Sequence, residues 1–194
     1  MNPLKFVDPD GMGLEPAAGL SKPNKDRIVR DLTRLYRKET GRAAIQQLSS
    51  SDIKYVVGAG KLGGKDELGH TQAEGFKGTI DLSTGQITNV DRTSGKQVTI
   101  TLDFKKMDDR KAINPEQTQG EEQHTVDHEI AGHAVAFDSD PAAEQNKDYG
   151  HAEFDADRAA DTVESEKNSL SNKDAEQDVQ KLLADKPRKH SDEE

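Results

Sequence analysis

The chain of 194 residues contains no cysteine and no tryptophan, and aromatic residues make up only 4% of it. The lack of cysteine excludes disulfides and thiolate metal ligands, so histidine and carboxylate side chains are the plausible ligands for a metal. No apolar run approaches the roughly 20 residues that a membrane-spanning helix needs. The segment Met1–Gly19 also lacks the basic start and the apolar middle of a signal peptide. We therefore expect no signal peptide, so that export would depend on a larger carrier or a dedicated machine.

Acidic residues outnumber basic ones by 37 to 27, which gives a formal net charge of −10. A surface of this sign repels phosphate backbones and anionic lipid headgroups, so we expect neither nucleic acid nor a membrane as a partner. Because only 31% of the residues are hydrophobic and 33% are charged, part of the chain cannot contribute to a core. We expect one domain over residues 25–168, preceded by a linker at 1–24 and followed by a charged, flexible tail at 169–194.

Hydrophobic periodicity predicts an α+β domain. Helices are expected at 24–36, 43–48, about 123–137 and about 151–163. Strands are expected at 53–57, 76–82, 86–90 and 98–104. The last three strands are joined by turns that contain glycine, which favours an antiparallel meander. Residues 58–75 contain many glycines and no period, so they are expected to form a loop.

The stretch His128-Glu129-Ile130-Ala131-Gly132-His133 carries the strongest chemical signal. A hydrolytic zinc site needs two histidines presented together, a third protein ligand and a carboxylate that acts as general base. In the common His-Glu-x-x-His form the histidines share a helix face, whereas residues five apart, such as His128 and His133, lie about 140° apart on a regular helix. One residue absorbed as a π-bulge would bring them together, and Gly132 lies where that distortion crowds side chains least. We therefore predict a helical irregularity between residues 129 and 133.

Two carboxylates downstream supply the other half of a metal site. Glu153 and Asp157 are four apart on the last predicted helix, so they project from one face. We assign His128, His133 and Glu153 as ligands of a Zn²⁺ ion. Asp157 is then the residue that accepts a hydrogen bond from the free ring nitrogen of a ligating histidine, and Glu129 is the catalytic general base.

Several residues near these motifs leave alternatives open. Tyr149 and His151 precede the carboxylate helix and are either hydrogen-bond donors to an oxyanion or ordinary loop residues. His124 and His128 are four apart on an undistorted helix and form an alternative ligand pair, although Thr125 then stands where the general base should be. The spacing of Glu153 and Asp157 also fits a helix that binds no metal, because acidic residues four apart commonly form a solvated helix face.

The His-Glu-Ile-Ala-Gly-His stretch resembles the HExxGH motif of the dipeptidyl peptidase III family. Both histidines of that motif bind zinc despite the extra residue, and the glutamate after the first histidine is catalytic. The resemblance implies these roles for His128, His133 and Glu129. Downstream, Glu153-Phe154-Asp155-Ala156-Asp157 looks more like the Glu-x-x-x-Asp segment of gluzincins, which implies a zincin-like pair of a zinc-binding helix and a carboxylate-bearing helix.

The stretch Asn2–Met12 resembles the end of the core region of bacterial Rhs-repeat proteins, where an Asn-Pro-Leu-x-x-x-Asp-Pro-x-Gly signature precedes a variable C-terminal toxin. Thr40-Gly41-Arg42 and the strand at 53–57 are similar to the start of metallopeptidase toxin domains at Rhs tips, although those domains carry the ordinary HExxH. The resemblance implies that residues 1–24 are an Rhs-core remnant ahead of a metallopeptidase domain. It also implies a secreted effector, delivered into a recipient cell by a machine such as the type VI system, with the Rhs shell and a cognate immunity protein as partners.

The expected function is therefore that of a zinc-dependent peptidase toxin, which cleaves a protein target in the recipient cell with a metal-activated water. The strand at 98–104 would pair with an extended substrate if it lies at a sheet edge. A hydrolytic toxin of another class, such as a nuclease, and a non-catalytic binding effector are the alternatives. The negative charge and the lack of a Lys/Arg-rich stripe argue against a nuclease.

Overall fold

A computed structural model describes residues 13–95, 97–118 and 120–184. These residues form an α+β structure, which confirms the predicted fold class. The strands are β1 (Gly13–Pro16), β2 (Lys54–Ala59), β3 (Gly69–Glu74), β4 (Lys77–Ile80), β5 (Ile87–Asp91) and β6 (Gln97–Leu102). The helices are α1 (Lys22–Tyr36), α2 (Glu39–Ser49), α3 (Phe104–Ile113), α4 (Glu121–Asp127), α5 (Val135–Ser139), α6 (Pro141–Asn146), α7 (Tyr149–Ser165) and α8 (Asn172–Ala184). A π-helical segment, His128–Ala134, joins α4 to α5. The Rhs-like stretch Asn2–Met12 lies outside the described residues.

Local sequence signals set the first helix. The Ser21 side chain accepts a hydrogen bond from the backbone N–H of Asn24, and Pro23 occupies the first turn of α1, where its missing N–H is not needed. The apolar residues of α1 recur at helical spacing and are buried in the core: Ile28, Leu32, Leu35 and Tyr36. Burial of this stripe stabilises the helix against the sheet and its neighbours.

The main sheet has the strand order β1-β2-β6-β3. Strands β1, β2 and β6 are parallel to one another, whereas β3 runs antiparallel to β6. In β6, Val98, Ile100 and Leu102 are buried and alternate with partly exposed residues, as the period-two pattern predicts. The interior position of β6 corrects the expectation that this strand could pair with a substrate, because both of its edges are already bonded to neighbouring strands.

The predicted antiparallel meander is present only as the separate β4–β5 hairpin. Strand β6 does not continue the hairpin, because it pairs with β2 and β3 instead. Strand β3 lies within residues 58–75, which the sequence indicates as a loop. Its sequence Gly-His-Thr-Gln-Ala-Glu carries no apolar alternation, so its conformation comes from pairing with β6 and not from a local preference.

The π-helical segment is surrounded by helices and by the main sheet. It packs against α2, β3 and β6 and also against α7. Ile130 and Ala134 in this segment are fully buried and belong to the same core as the apolar face of β6. The segment is therefore held between the sheet and the carboxylate-bearing helix.

The charged tail predicted from residue 169 needs a correction. Over Asn172–Ala184 the chain forms α8, which packs against α1 and buries Ala175 and Val179. The apolar residues of α8 are few, because only Leu182 and Leu183 join Ala175 and Val179 in packing against the core. The pattern is therefore too weak to predict the whole helix without its partner α1. Residues 185–194 lie outside the described part of the chain. Within the described ranges, no helix combines the length and the apolar composition needed to cross a bilayer.

Candidate metal centre

The irregularity predicted between residues 129 and 133 is present. Residues 121–139 form one continuous helical rod that is α-helical at both ends and π-helical over His128–Ala134. The wider π turn takes up the one extra residue between the two histidines. The ring centroids of His128 and His133 consequently lie 4.8 Å apart, with the ring planes at 77°. The two imidazoles therefore face the same small volume.

Gly132 has a packing role that the sequence does not reveal. A Cβ atom at this position would lie 2.6 Å from Cβ and 2.7 Å from Cα of Ala156 on α7. Contacts that short do not occur between carbon atoms, so only glycine lets the π-helical segment approach α7 this closely. The close approach brings the carboxylate-bearing helix within reach of the two histidines.

Glu153 on α7 completes a group of three possible ligands. Its Oε2 lies 3.4 Å from Nε2 of His128, and its Oε1 lies 3.2 Å from Nε2 of His133. One donor atom from each of the three side chains lies within 4.8 Å of the other two. The histidine side chains are mostly buried, whereas that of Glu153 is 35% exposed, so solvent reaches the group from the Glu153 side. This part of the chain could therefore hold a metal ion.

Each of the two histidines is oriented by a second carboxylate. Oδ1 of Asp157 lies 2.8 Å from Nδ1 of His128, which matches the role assigned to Asp157 from its spacing. Oε1 of Glu144, on α6, lies 3.4 Å from Nδ1 of His133. Lys147 stands 2.9 Å from the other oxygen of Glu144 and holds this carboxylate in place. With Nδ1 engaged in this way, Nε2 of each imidazole is left to face Glu153.

Glu144 contacts the candidate site, although the sequence does not predict this contact. It falls in the region 138–150, which reads as a loop around Pro141. The Asp140-Pro141 pair is a sequence signal for the start of a helix, α6. The Asp140 side chain accepts a hydrogen bond from the backbone N–H of Ala143, and Pro141 occupies the first turn. Even with α6 predicted, nothing in the sequence indicates that Glu144 meets His133.

Glu129 is buried and only 4% exposed, between the π-helical segment and β3. The Thr71 hydroxyl donates a hydrogen bond of 2.6 Å to Oε2 of Glu129. Burial raises the pKa of this carboxyl above its ordinary value, and the hydrogen bond from Thr71 opposes that rise. Gly69 leaves the room for the side chain, because a Cβ there would lie 2.6 Å from Cγ of Glu129. Thr71 and Gly69 belong to the unpredicted strand β3, so neither could be assigned from the sequence.

Tyr149 and His151 take different positions at the start of α7. Tyr149 is 80% exposed, and its pKa is raised above the ordinary value, first by the negative charge of Glu153. Nδ1 of His151 instead lies 2.5 Å from Asp148, the residue that caps α7. The hydrogen bond to Asp148 raises the pKa of His151. The structure therefore leaves the Tyr149 side chain exposed and pairs His151 with the helix cap.

The alternative pair of His124 and His128 also has a carboxylate beside it, because both rings approach Asp157. The side chains of His124 and Asp157 are 37% and 57% exposed, so this group is wetter than the one formed with His133 and Glu153. The residue that follows His124 is Thr125, so this pair has no carboxylate in the position that Glu129 takes after His128. The His128–His133–Glu153 group is consequently the better candidate metal centre.

Comparison of the chain with protein-family models, curated proteins and solved structures finds no match. The chemistry assigned to the site therefore depends on its own geometry. That geometry comprises a group of histidine and glutamate donors able to hold a metal ion, and the buried carboxylate of Glu129, which follows His128 in the chain.

Proposed function

We propose that this protein is a zinc-dependent peptidase and that it acts as a toxin or effector on a protein target. One observation carries the proposal: the π-helical segment turns His128 and His133 to face Glu153 and leaves the intervening Glu129 buried beside them. Two imidazoles and one carboxylate form the protein ligand set of a catalytic zinc site, which keeps a further position open.

Zinc is the metal we propose, because the donors are imidazole nitrogen and carboxylate oxygen and the chain has no thiolate to offer. When bound, zinc would supply Lewis acidity and lower the pKa of water towards neutrality. The side chains around the ion would orient the ligands and transfer the proton. Asp157 and Glu144 fix the two rings through their Nδ1 atoms.

Glu129 is the general base of the proposed reaction. Its carboxylate accepts a proton from the water that adds to the peptide carbonyl carbon, which forms the C–O bond. It then passes this proton to the amide nitrogen, so that the C–N bond breaks and the amine leaves. A buried carboxyl with a raised pKa is better matched to this exchange near neutral pH than an exposed one. Thr71 orients the carboxylate by donating to one of its oxygens.

The substrate strand is reassigned from β6 to β3. Strand β3 lies at the edge of the described sheet, beside the π-helical segment, and Gly69 and Thr71 in it contact Glu129. An extended peptide that pairs with the free edge of β3 would extend the sheet and pass Glu129. The exposed Tyr149 would then line the open side of the cleft and is our candidate donor to the oxyanion.

The proposed biological setting is that of an Rhs-type effector, delivered into a recipient cell and neutralised by an immunity protein at home. This proposal is supported by the Asn2–Met12 stretch in the sequence. Its test is growth of a recipient bacterium in which expression of the wild type or of Glu129→Gln is induced from a promoter that is otherwise tightly repressed. Growth arrest by the wild type alone is expected, and equal growth of both strains would contradict the proposal.

Metal content and peptide cleavage test the enzymatic proposal together. Purified wild type, His128→Ala, His133→Ala and His124→Ala are analysed by mass spectrometry for zinc, and each is incubated with a peptide library. We expect one tightly bound zinc per chain that is lost with His128 or His133 but retained in His124→Ala, and cleavage by the wild type that stops on chelation. A wild type that binds no zinc when it is supplied would overturn the proposal, and loss with His124 but not with His133 would move the site one turn earlier.

A further inference from the structure

Histidines and carboxylates form two facing rows that extend beyond the candidate catalytic centre. The histidine row on α4 and the π-helical segment comprises His124, His128 and His133. The carboxylate row on α7 comprises Glu153, Asp157, Asp161 and Glu164, whose spacing of four, four and three residues keeps them on one helix face. The rows run in opposite directions, since His133 faces Glu153 while His124 faces Glu164.

The far end of these rows forms a separate group. Nδ1 of His124 lies 3.1 Å from Oε1 of Glu164, and a carboxylate oxygen of Asp161 completes a set of three donors within 4.8 Å of one another. None of these three side chains belongs to the His128–His133–Glu153 group. One imidazole and two carboxylates are donors that suit a divalent transition-metal ion.

We propose that His124, Asp161 and Glu164 form a second, weaker site for a divalent cation such as Zn²⁺. The proposal does not depend on peptidase activity. The His124 and Glu164 side chains are 37% and 41% exposed, so water competes for the ion more than it does at the candidate catalytic centre. With one imidazole in place of two, we expect the affinity to be about tenfold lower than that of the first site.

Asp157 links the two sites. Its Oδ1 lies 2.8 Å from Nδ1 of His128 and 3.5 Å from Nε2 of His124. A cation bound to His124 through Nδ1 would fix that ring and leave its Nε2–H directed at Asp157. The carboxylate would then be shared between a ligand of the first site and a ligand of the second.

The test is a titration of metal-stripped protein with Zn²⁺ by equilibrium dialysis at near-neutral pH, carried to about 100 times the Kd of the tight site. The variants are Asp161→Asn with Glu164→Gln, and His133→Ala. The matched control removes two carboxylates from α8, by Glu176→Gln with Asp178→Asn. Circular dichroism verifies that each variant is folded.

We expect two zinc equivalents for the wild type and the α8 control, and one for the Asp161/Glu164 double variant. His133→Ala should lose the tight equivalent and retain the weak one, so failure of the first site is distinguishable from failure of the second. One equivalent in the wild type that disappears in His133→Ala, or two equivalents in the Asp161/Glu164 variant, would overturn the inference, because His124 and Glu164 would then form an ion pair without a metal.

Discussion

At the scale of single side chains, substitution of the buried Glu129 tests the proposed general base most directly. The amide of Glu129→Gln keeps the shape but cannot accept the proton, so we expect kcat to fall by about 10²–10⁴-fold. Zinc content should remain that of the wild type, because Glu129 stands outside the ligand group. The measurement is peptide cleavage beside metal analysis, with the exposed Glu176→Gln as the control. Full activity in Glu129→Gln would exclude the proposed base.

The raised pKa of Asp31 in α1 predicts that the free energy of unfolding depends on pH independently of the metal centre. Burial, reinforced by the charge of Glu122, raises the pKa of Asp31 to about 7, whereas an unfolded aspartate has a pKa of about 3.9. The folded state therefore holds the proton more tightly, and its stability falls as pH rises from about 4 to about 7. Arg30 donates two hydrogen bonds to Oδ1 of Asp31, and an asparagine oxygen can accept them as well.

We accordingly expect Asp31→Asn to gain stability relative to the wild type as pH rises. The difference between the free energies of unfolding of the two proteins should widen by about 1–3 kcal/mol between about pH 5 and pH 8, because only the wild type must bury a charge at the higher pH. Urea denaturation at both values measures it, and the exposed Asp26→Asn provides the control. A gap that narrows with pH would contradict the raised pKa of Asp31.

At the scale of elements, the contact between the π-helical segment and α7 rests on Gly132. Alanine normally stabilises a helix over glycine by about 1 kcal/mol, but here its Cβ would collide with Cα and Cβ of Ala156. Overpacking of this kind costs about 1–3 kcal/mol, so Gly132→Ala should be less stable on balance. It should also weaken zinc binding, because Glu153 lies one turn from Ala156. Gly150→Ala is the matched control, because its new Cβ would make only an ordinary contact of 3.5 Å with Oδ1 of Asp148. It should not lose stability or zinc, and equal behaviour of the two variants would contradict this account.

The π turn itself can be removed by deleting one residue. Deletion of Ala131 restores the four-residue spacing between the histidines, so a regular α-helix would again present both to Glu153. We expect a folded protein that still binds one tight zinc per chain. Deletion of Ala136, in the regular α5, is the comparison and should turn the buried Phe137 out of the core. If the Ala131 deletion loses zinc as completely as His133→Ala does, the extra residue is required for binding.

On the scale of the whole molecule, a metal ion would join two helices that belong to different parts of the chain. A ligand present at about 1,000 times its Kd stabilises the folded state by about 4 kcal/mol, and in a domain of this size that raises Tm by about 10 °C. Chelation should therefore lower the Tm of the wild type by that amount and lower the Tm of His133→Ala by less, because only the proposed weaker site remains in that variant. Differential scanning calorimetry with and without EDTA measures both, and a wild-type Tm that does not respond would contradict a structural contribution from the metal.

Much of the site could be predicted because its signals are local. The spacing of His128 and His133 requires an irregular turn if both are to face one site, and the four-residue spacing of Glu153 and Asp157 places both on one helix face. The structure has the π turn and brings all four side chains together. The alternation in β6 likewise predicted its buried face. Each of these conclusions depends only on the period of a helix or a strand and on residues close in the chain.

The rest was decided by tertiary contacts. Strand β3 has no apolar pattern and exists through its pairing with β6, yet it supplies Thr71 and the space at Gly69 for Glu129. Glu144 reaches His133 because α6 folds back on the helix before it, and α8 is ordered by packing on α1. The sequence by itself determined the fold class, the helical irregularity and the chemical types of the ligands. Only the tertiary structure decided the sheet order, the edge strand and the residues that orient the site, because those depend on free energies of contact between segments that are distant in the chain.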